Sequence, residues 1–288
     1  MNYRLVALDL DGTSLTSDGK ITRRLSRAVR EAQARGVVVT LATARRWTGA
    51  TPYARVLGVE GALILYDGAM ARAYPGGAVE MARPLDARLA QRAAEALAAR
   101  GLRVVAQVGG PDAERLFVSD TAGDSPWIDA YLANFPQQVT RVALSDLASA
   151  APEALRLVSF GPEAMLRASL DALDGLEAGW QVLPQGSYGV GELTIFAREA
   201  SKGAGLRWLA ADLGISMAQT IAIGDHVNDL SMLRAAGLGV AMGNADPEIQ
   251  AAANAVTASN DEDGAALAIE RYILDNDSAA IAAEEETA

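Results

Sequence analysis

The chain has 288 residues, of which 36 are acidic and 25 are basic, so its formal net charge is −11. This balance predicts no nucleic acid and no membrane as partner, because both would require a basic surface. With no cysteine and a single histidine, His226, the chain lacks disulfides, thiol nucleophiles and histidine-rich metal sites. We therefore expect carboxylates to transfer protons and oxygen atoms to hold any metal. No apolar run is long enough to span a bilayer, so we expect a soluble, cytoplasmic protein.

Short apolar runs predict strands that are buried on both faces, as in a parallel sheet covered by helices. In chain order these runs are Leu5–Leu8, Val37–Ala42, Ala62–Tyr66, Thr220–Ile223 and Leu238–Met242. The stretches between them that predict helices, each ending before a glycine, are Thr22–Arg35, Lys202–Leu213 and Asn228–Ala236. This alternation predicts a Rossmann-like, doubly wound α/β fold with a parallel sheet.

Each predicted strand ends at a small or polar residue. The residues that follow the five strands are Asp9, Thr43, Asp67, Gly224-Asp225 and Gly243-Asn244. Ligands bind beyond the carboxyl ends of the strands in an open parallel sheet. One such end could be an ordinary turn, but five in one chain favour a functional site.

The middle of the chain lacks this pattern of a strand followed by a polar residue. We interpret the chain as a core of residues 1–82 and 191–275, an inserted α/β cap of residues 83–190 that selects the substrate, and a flexible tail of residues 276–288. Gly76-Gly77 and the glycines of Gly186–Gly191 are expected to join the cap to the core.

Two carboxylates lie two positions apart in Asp9-Leu10-Asp11-Gly12-Thr13, so on extended chain they point to the same side. Such a pair can divide its work, with one carboxylate as nucleophile or metal ligand and the other as acid. A calcium loop is excluded, because its sixth and twelfth positions would be Ser14 and Lys20 instead of Gly and Glu.

A second acidic pair, Asp225 and Asp229, flanks a turn that opens a helix after the fourth predicted strand. Acidic side chains also stabilise the start of a helix electrostatically, so Asp229 has an alternative explanation that is purely structural. Together with Asp9 and Asp11, these residues supply the hard oxygen ligands that Mg²⁺ prefers.

Lys202 is one of only two lysines among the 25 basic residues, the other being Lys20. A compact ammonium fits sites that a planar guanidinium does not. Beside a magnesium site, Thr43 would be a neutral donor and Lys202 a cation for the oxygens of a phosphoryl group.

The order of these motifs resembles that of the haloacid-dehalogenase superfamily and, within it, that of the Cof-type phosphatases, which carry a large α/β cap. The combination is specific, whereas each motif alone is weak. The segments that carry the resemblance are Asp9–Thr13, Thr43, Lys202, Gly224–Asp229, Val240–Ala245 and Ser259–Gly264.

The resemblance implies a Mg²⁺-dependent phosphatase that hydrolyses small phosphorylated metabolites, sugar phosphates above all, through an aspartyl-phosphate. Asp9 would attack phosphorus and ligate Mg²⁺. Asp11 would protonate the leaving oxygen, deprotonate the attacking water and offer its backbone carbonyl to the metal. Asp225 would ligate Mg²⁺ directly, and Asp229 would support the site without contacting the metal.

The resemblance also implies the groups that bind substrate. Thr43 and Lys202 would hold the phosphoryl group and take part in catalysis, with Lys202 also orienting Asp9. Asn228 would lie near the phosphate, and Arg45 would be a further substrate-binding side chain.

The chain departs from the family pattern at three positions. Thr43-Ala44-Arg45 replaces the common Thr-Gly-Arg, and Gln250 stands where a lysine is common. Asp67-Gly68 replaces Asn-Gly, and its extra negative charge is expected to disfavour highly anionic substrates.

Two alternatives stay open beside the phosphatase. A phosphomutase shares all of these motifs, and a catalytically idle member could serve as a binding or regulatory protein. The idle alternative is disfavoured because Asp9, Asp11 and Asp225 are all retained. A dinucleotide-dependent dehydrogenase is excluded, because no predicted strand leads into Gly-x-Gly-x-x-Gly.

Overall fold

The computed structural model describes residues 3–110, 113–120, 125–184 and 189–275. Their strands are β1 (Leu5–Leu8), β2 (Val38–Leu41), β3 (Gly61–Leu65), β4 (Met70–Tyr74), β5 (Val79–Ala82), β6 (Val105–Val108), β7 (Arg115–Asp120), β8 (Val139–Ala143), β9 (Arg156–Gly161), β10 (Ala178–Leu183), β11 (Gly191–Ala197), β12 (Thr220–Gly224), β13 (Leu238–Ala241) and β14 (Ala255–Val256). Their α-helices are α1 (Arg23–Ala34), α2 (Trp47–Leu57), α3 (Ala87–Ala98), α4 (Pro126–Ala133), α5 (Leu147–Ala150), α6 (Glu163–Arg167), α7 (Lys202–Asp212), α8 (Leu230–Ala235), α9 (Pro247–Ala252) and α10 (Gly264–Ile269).

The described residues divide into two compact units. The first unit comprises the described parts of residues 1–80 and 201–288, and the second comprises those of residues 81–200. The boundary expected at residue 190 therefore moves to residue 200, because β11 pairs antiparallel with both β9 and β10 and belongs to their sheet. The expected tail, residues 276–288, lies outside the described residues.

The first unit is built on a parallel five-stranded sheet in the order β14-β13-β12-β1-β2. An isolated parallel bridge from Ala42 to Ile64 continues it to β3, which forms a second, three-stranded sheet with β4 and β5. The predicted doubly wound α/β fold is confirmed. The strand order changes direction between β1 and β12, and such a switch point is where ligands bind in this class of fold.

Apolar residues on both faces explain why β1 lies at the centre of this sheet. All four of its side chains are buried, and Leu5 and Ala7 pack with Leu206 of α7 and Met232 of α8. Since alternate residues of a strand point to opposite faces, its other two side chains fill the opposite layer. A strand buried in this way reads as a continuous apolar run, which is the signal that predicted it.

Close packing of α7 places its first residue at the carboxyl edge of the sheet. The Ser201 side chain caps the helix by accepting a hydrogen bond from the Ala204 N–H at 3.1 Å. A Cβ on Gly203 would lie 2.2 Å from the Ser231 carbonyl oxygen, and one on Gly205 would lie 2.5 Å from Ile64. The two glycines therefore let α7 approach α8 and β3 more closely than any larger residue would.

The second unit contains a six-stranded sheet in the order β10-β11-β9-β6-β7-β8, in which only β7 and β8 are parallel. An apolar cluster that includes residues of α3 packs with side chains of this sheet, and a separate cluster includes residues of α4. A separate sheet with its own apolar clusters indicates a unit that forms its own core.

The expected junctions between the units need one correction. Gly77 donates its N–H to the Ala73 carbonyl at 2.6 Å, and Ala73 donates to the Ala78 carbonyl at 2.8 Å. Gly76-Gly77 is therefore the turn between β4 and β5, inside the first unit. The other expected junction, Gly186–Gly191, lies partly outside the described residues. Within the described ranges, no helix is both long enough and apolar enough to cross a membrane.

Candidate active site

Asp9 and Asp225 follow the two strands that meet at the switch point. Asp9 comes directly after β1, and its backbone N–H donates to the Ile223 carbonyl of β12 at 3.0 Å. Asp225 comes directly after β12. The register of this strand pair therefore sets the two carboxylates next to each other.

Lys202 joins the two acidic motifs. Its side chain is 1% exposed, and its Nζ donates to Asp9 Oδ1 and to Asp229 Oδ1, each at 2.6 Å. Burial opposes the positive charge, but the charges of Asp229, Asp9 and Asp67 outweigh it and raise the pKa of Lys202 above its ordinary value. Lys202 therefore stays charged and fixes the position of the Asp9 carboxylate.

Asp229 organises the loop that carries Asp225. It is fully buried, and its Oδ2 accepts the backbone N–H groups of Asp225 and His226, each at 3.0 Å. With Lys202 on Oδ1, the two oxygens of Asp229 accept three hydrogen bonds. This arrangement favours a supporting role over direct metal ligation, as the resemblance implies.

Asp225 is held from the other side by the first motif. Thr13 donates its hydroxyl to Asp225 Oδ1 at 2.7 Å. Gly12 has a φ of +77°, and a Cβ there would lie 2.3 Å from Asp225 Oδ2. Glycine is thus needed at position 12 both for its left-handed conformation and for the close approach of Asp225.

Two carboxyl groups of the acidic cluster have raised pKa values. Burial raises the pKa of Asp9 well above its ordinary value of 3.8; Lys202 opposes the rise, and the charges of Asp229 and Asp225 add to it. Burial and the charge of Asp229 likewise raise the pKa of Asp225 to about 7. Both shifts arise mainly because burial disfavours a charged carboxylate, and repulsion between the neighbouring carboxylates adds to it.

These groups fit a hard divalent cation. Oxygen atoms of Asp9, Asp225 and Asp229 all lie within 4.8 Å of one another. The three carboxylates and Lys202 carry a formal charge of −3 + 1 = −2, which one divalent cation would neutralise. With Asp229 held by its hydrogen bonds, Asp9 and Asp225 are left as the carboxylate ligands, and this number suits Mg²⁺, which completes its octahedron with water and substrate oxygens.

Asp11 stands apart from this cluster. Its side chain is 60% exposed and forms a two-point ion pair with Arg45, with Nε to Oδ2 at 2.8 Å and Nη2 to Oδ1 at 2.6 Å. Burial opposes the charge of Arg45, but the hydrogen bonds and charge of Asp11 outweigh it and raise the pKa of the guanidinium. Thr43, fully buried after β2, accepts the Arg45 backbone N–H on its hydroxyl at 3.0 Å.

Asn228 contacts Asp67, one of the positions at which the chain departs from the family pattern. The Asn228 Nδ2 donates to Asp67 Oδ1 at 2.9 Å, and Asp67 is 4% exposed. Asp67 has a φ of +54°, and a Cβ on Gly68 would lie 1.9 Å from the Ser201 carbonyl oxygen, next to Lys202. The sequence predicted a residue at the sheet edge here, but not that Asp67 holds Asn228.

Two later segments support the loop of the first motif. Asn244 donates its Nδ2 to the Gly12 carbonyl at 2.9 Å and accepts the Asn260 N–H at 3.0 Å. Asp261 accepts both the N–H and the hydroxyl of Ser17, at 2.8 and 2.6 Å. Both segments belong to the resemblance described above. Their contacts hold the loop after β1 in place, which the spacing of the motifs in the sequence did not reveal.

The fold and this cluster define an α/β enzyme whose carboxylate site lies at the switch point of a parallel sheet. The profile of haloacid dehalogenase-like hydrolases matches residues 6–269. The chain belongs to this family, so the resemblance noted from the motifs is confirmed.

Similar proteins include named phosphatases. The chain is 30% identical over 284 residues to phosphatase YwpJ of Bacillus subtilis, covering 91% of this chain and 97% of that protein. It is 29% identical to pyridoxal phosphate phosphatase YbhA of Escherichia coli, covering 95% and 100%. A haloacid dehalogenase-like hydrolase from Bacteroides thetaiotaomicron has a crystal structure with a TM-score of 0.75 at 26% identity, covering 94% and 99%. The prediction of an enzyme that hydrolyses phosphate esters is confirmed at the level of this family.

Proposed function

We propose that the protein is a Mg²⁺-dependent phosphatase that hydrolyses small phosphorylated metabolites, sugar phosphates above all, through an aspartyl-phosphate on Asp9. The observation that carries the proposal is the buried Asp9 carboxylate, held by Lys202 beside Asp225 and Asp229. A carboxylate fixed in one orientation beside further oxygen ligands is suited to attack phosphorus.

In the first step an Asp9 carboxylate oxygen attacks phosphorus, and the bond from phosphorus to the ester oxygen breaks. Asp11 gives its proton to that oxygen, so that the leaving group departs as a neutral alcohol. Lys202 keeps the Asp9 carboxylate in place and, with Thr43, donates to the oxygens of the phosphoryl group.

In the second step a water molecule attacks the phosphorus of the aspartyl-phosphate. Asp11, now ionised, accepts a proton from this water. The bond from phosphorus to the Asp9 oxygen then breaks, which releases inorganic phosphate and restores the Asp9 carboxylate. Each group ends the cycle in the state in which it began.

Asp9, Asp225 and the Asp11 backbone carbonyl would hold the metal, with Asp229 supporting them from behind. When bound, Mg²⁺ supplies positive charge to the phosphoryl oxygens in the transition state. The raised pKa values of Asp9 and Asp225, which come first from burial and then from neighbouring negative charge, support this assignment, because a bound cation would stabilise both carboxylates in their ionised form.

We also assign substrate selection to the second unit. The groups of the first unit act on the phosphoryl group and its ester oxygen, which all phosphate monoesters share. Discrimination between metabolites therefore has to come from elsewhere in the chain, and the second unit is a separately folded domain inserted between the motifs. That a relative is named for pyridoxal phosphate supports small phosphorylated metabolites as the substrate class.

Phosphate release from a panel of sugar phosphates, pyridoxal phosphate, nucleotides and p-nitrophenyl phosphate tests the proposal. We expect release with Mg²⁺ that is abolished by EDTA and by Asp9→Asn, which keeps the shape of the side chain but removes the nucleophile. Asp18→Asn is the matched control, because Asp18 is an exposed acid paired only with surface groups. Wild-type activity in Asp9→Asn would refute the proposal, and an isomeric sugar phosphate in place of free phosphate would identify a mutase.

A further inference from the structure

The Asp11 carboxylate is oriented by a single side chain of the described residues. The fork of Arg45 meets it with two parallel hydrogen bonds, at 2.8 and 2.6 Å. Such two-point pairs fix the plane and direction of a carboxylate as well as its distance. The Asp11 side chain is itself 60% exposed, and within the described ranges only Arg45 donates hydrogen bonds to its carboxylate.

Arg45 is anchored by helix α2 rather than by the loop that carries Asp11. Its guanidinium lies 4.8 Å from the centroid of the Tyr53 ring, and its Nη1 donates to the Gly49 carbonyl at 3.2 Å. Its backbone N–H donates to the Thr43 hydroxyl. The orientation of Asp11 is therefore set from the folded body of the first unit.

We propose that Arg45 is a positioning residue that aims Asp11 for proton transfer to the leaving oxygen. This inference rests on the proposed phosphatase function and changes the role of Arg45 from binding substrate to acting through Asp11. Three guanidinium nitrogens already donate, two to Asp11 and one to Gly49, so the hydrogen-bonding capacity of Arg45 is directed mainly at the protein.

The two roles differ in how they depend on the leaving group. A sugar alkoxide is a poor leaving group and needs the proton from Asp11, whereas p-nitrophenolate departs readily without one. A residue that aims Asp11 therefore matters most for sugar phosphates. A residue that binds the phosphoryl group would matter equally for both substrates, because they share that group.

The test compares kcat/KM of the wild type and of Arg45→Met with the best sugar phosphate of the panel and with p-nitrophenyl phosphate. This ratio reports the steps up to phosphoryl transfer and not the later hydrolysis of the intermediate. We expect a loss on the order of 100-fold for the sugar phosphate, as for removal of a general acid, and a loss at least tenfold smaller for the aryl ester. Arg45→Lys, which keeps the charge without the fork, is expected to restore only part of the activity.

Two further variants separate an effect through Asp11 from an independent one. In the Asp11→Asn background, Arg45→Met is expected to cause little additional loss, because the group that it orients can no longer donate a proton. Tyr53→Leu removes the ring beneath Arg45 and is expected to show the same leaving-group dependence at smaller size. The inhibition constant of inorganic phosphate is expected to change less than threefold in Arg45→Met.

Equal losses on both substrates, additive losses in the double variant or a tenfold weaker inhibition by phosphate would overturn the inference and return Arg45 to substrate binding. These results would leave the proposed function intact, because wild-type hydrolysis and its loss in Asp9→Asn would still be observed. A wild type that releases phosphate from neither substrate would instead refute the proposed function, and the inference with it.

Discussion

Replacement of Lys202 by methionine removes the charge that neutralises two buried carboxylates. Lys202 is 1% exposed and lies 2.6 Å from both Asp9 and Asp229, which are themselves buried. Breaking a buried ion pair by removing one partner costs about 3–5 kcal/mol, because the other charge stays buried without compensation. We expect Lys202→Met to lower the free energy of unfolding of the metal-free protein by about this amount, and to abolish phosphatase activity.

The assay is urea unfolding in EDTA, with Lys20→Met as the matched control. Lys20 is the only other lysine, and its side chain is 76% exposed beside Asp18, so its loss should leave the free energy of unfolding nearly unchanged. The folded pKa of Lys202 lies above its ordinary value of 10.5. Its stabilising effect is therefore fully present below pH 10.5 and is lost only as the pH rises through the folded value, so a measurement at pH 7.5 captures all of it. Equal stability of the two variants would refute the reasoning.

Three further results are expected. Gly12→Ala should weaken Mg²⁺ binding measured by calorimetry, because the new Cβ would lie 2.3 Å from Asp225 Oδ2. Gly19→Ala is the matched control: Gly19 has a similar φ, but a Cβ there would meet no atom within 4 Å, so Mg²⁺ binding should not change. The folded pKa of Asp225, about 7, exceeds its ordinary value of 3.8, so its contribution to the stability of the metal-free protein should fall as the pH rises from about 4 to about 7. Urea unfolding in EDTA should show this fall in the wild type and less of it in Asp225→Asn. Asp67→Asn removes a buried negative charge and should raise kcat/KM for a bisphosphate relative to a monophosphate, because like charges repel; an unchanged ratio would contradict the charge argument.

The central sheet was predictable because burial on both faces leaves a direct mark in the sequence. The predicted runs Leu5–Leu8 and Thr220–Ile223 coincide with β1 and β12 to within one residue. The start of α7 at Lys202 and the cap of α1 by Thr22 also follow from local signals. Because polar residues follow five predicted strands, the sequence also predicted that Asp9 and Asp225 lie at one edge of the sheet, as they do in the structure.

The contacts that organise the site could not be predicted from local patterns. The pairing of Arg45 with Asp11, and that of Asn228 with Asp67, join residues 34 and 161 positions apart in the sequence. They depend on how α2 and the turn after β3 pack against the sheet. The end of the insertion was misplaced for a similar reason, since β11 has the apolar alternation of a strand and only pairing reveals its sheet.

The helices missed by the sequence analysis have weak local signals. Helix α2 contains Pro52 and three residues that are not strong helix formers at its start, Trp47-Thr48-Gly49. It is stabilised by packing of Ala50, Ala54 and Leu57, which are buried at helical spacing. This helix nevertheless anchors Arg45, so the sequence signal was weak for the element that positions Asp11, the proposed proton donor.

The most direct test of the central claim is to trap the phosphorylated enzyme during turnover and find which residue carries the phosphoryl group. Rapid quenching in acid, followed by borohydride, reduces an aspartyl-phosphate to homoserine, which peptide mass spectrometry can locate. We expect homoserine at position 9, formed only when substrate and Mg²⁺ are both present, and none in Asp9→Asn. A phosphoryl group on any other residue, or steady phosphate release with no modification at Asp9, would contradict the account.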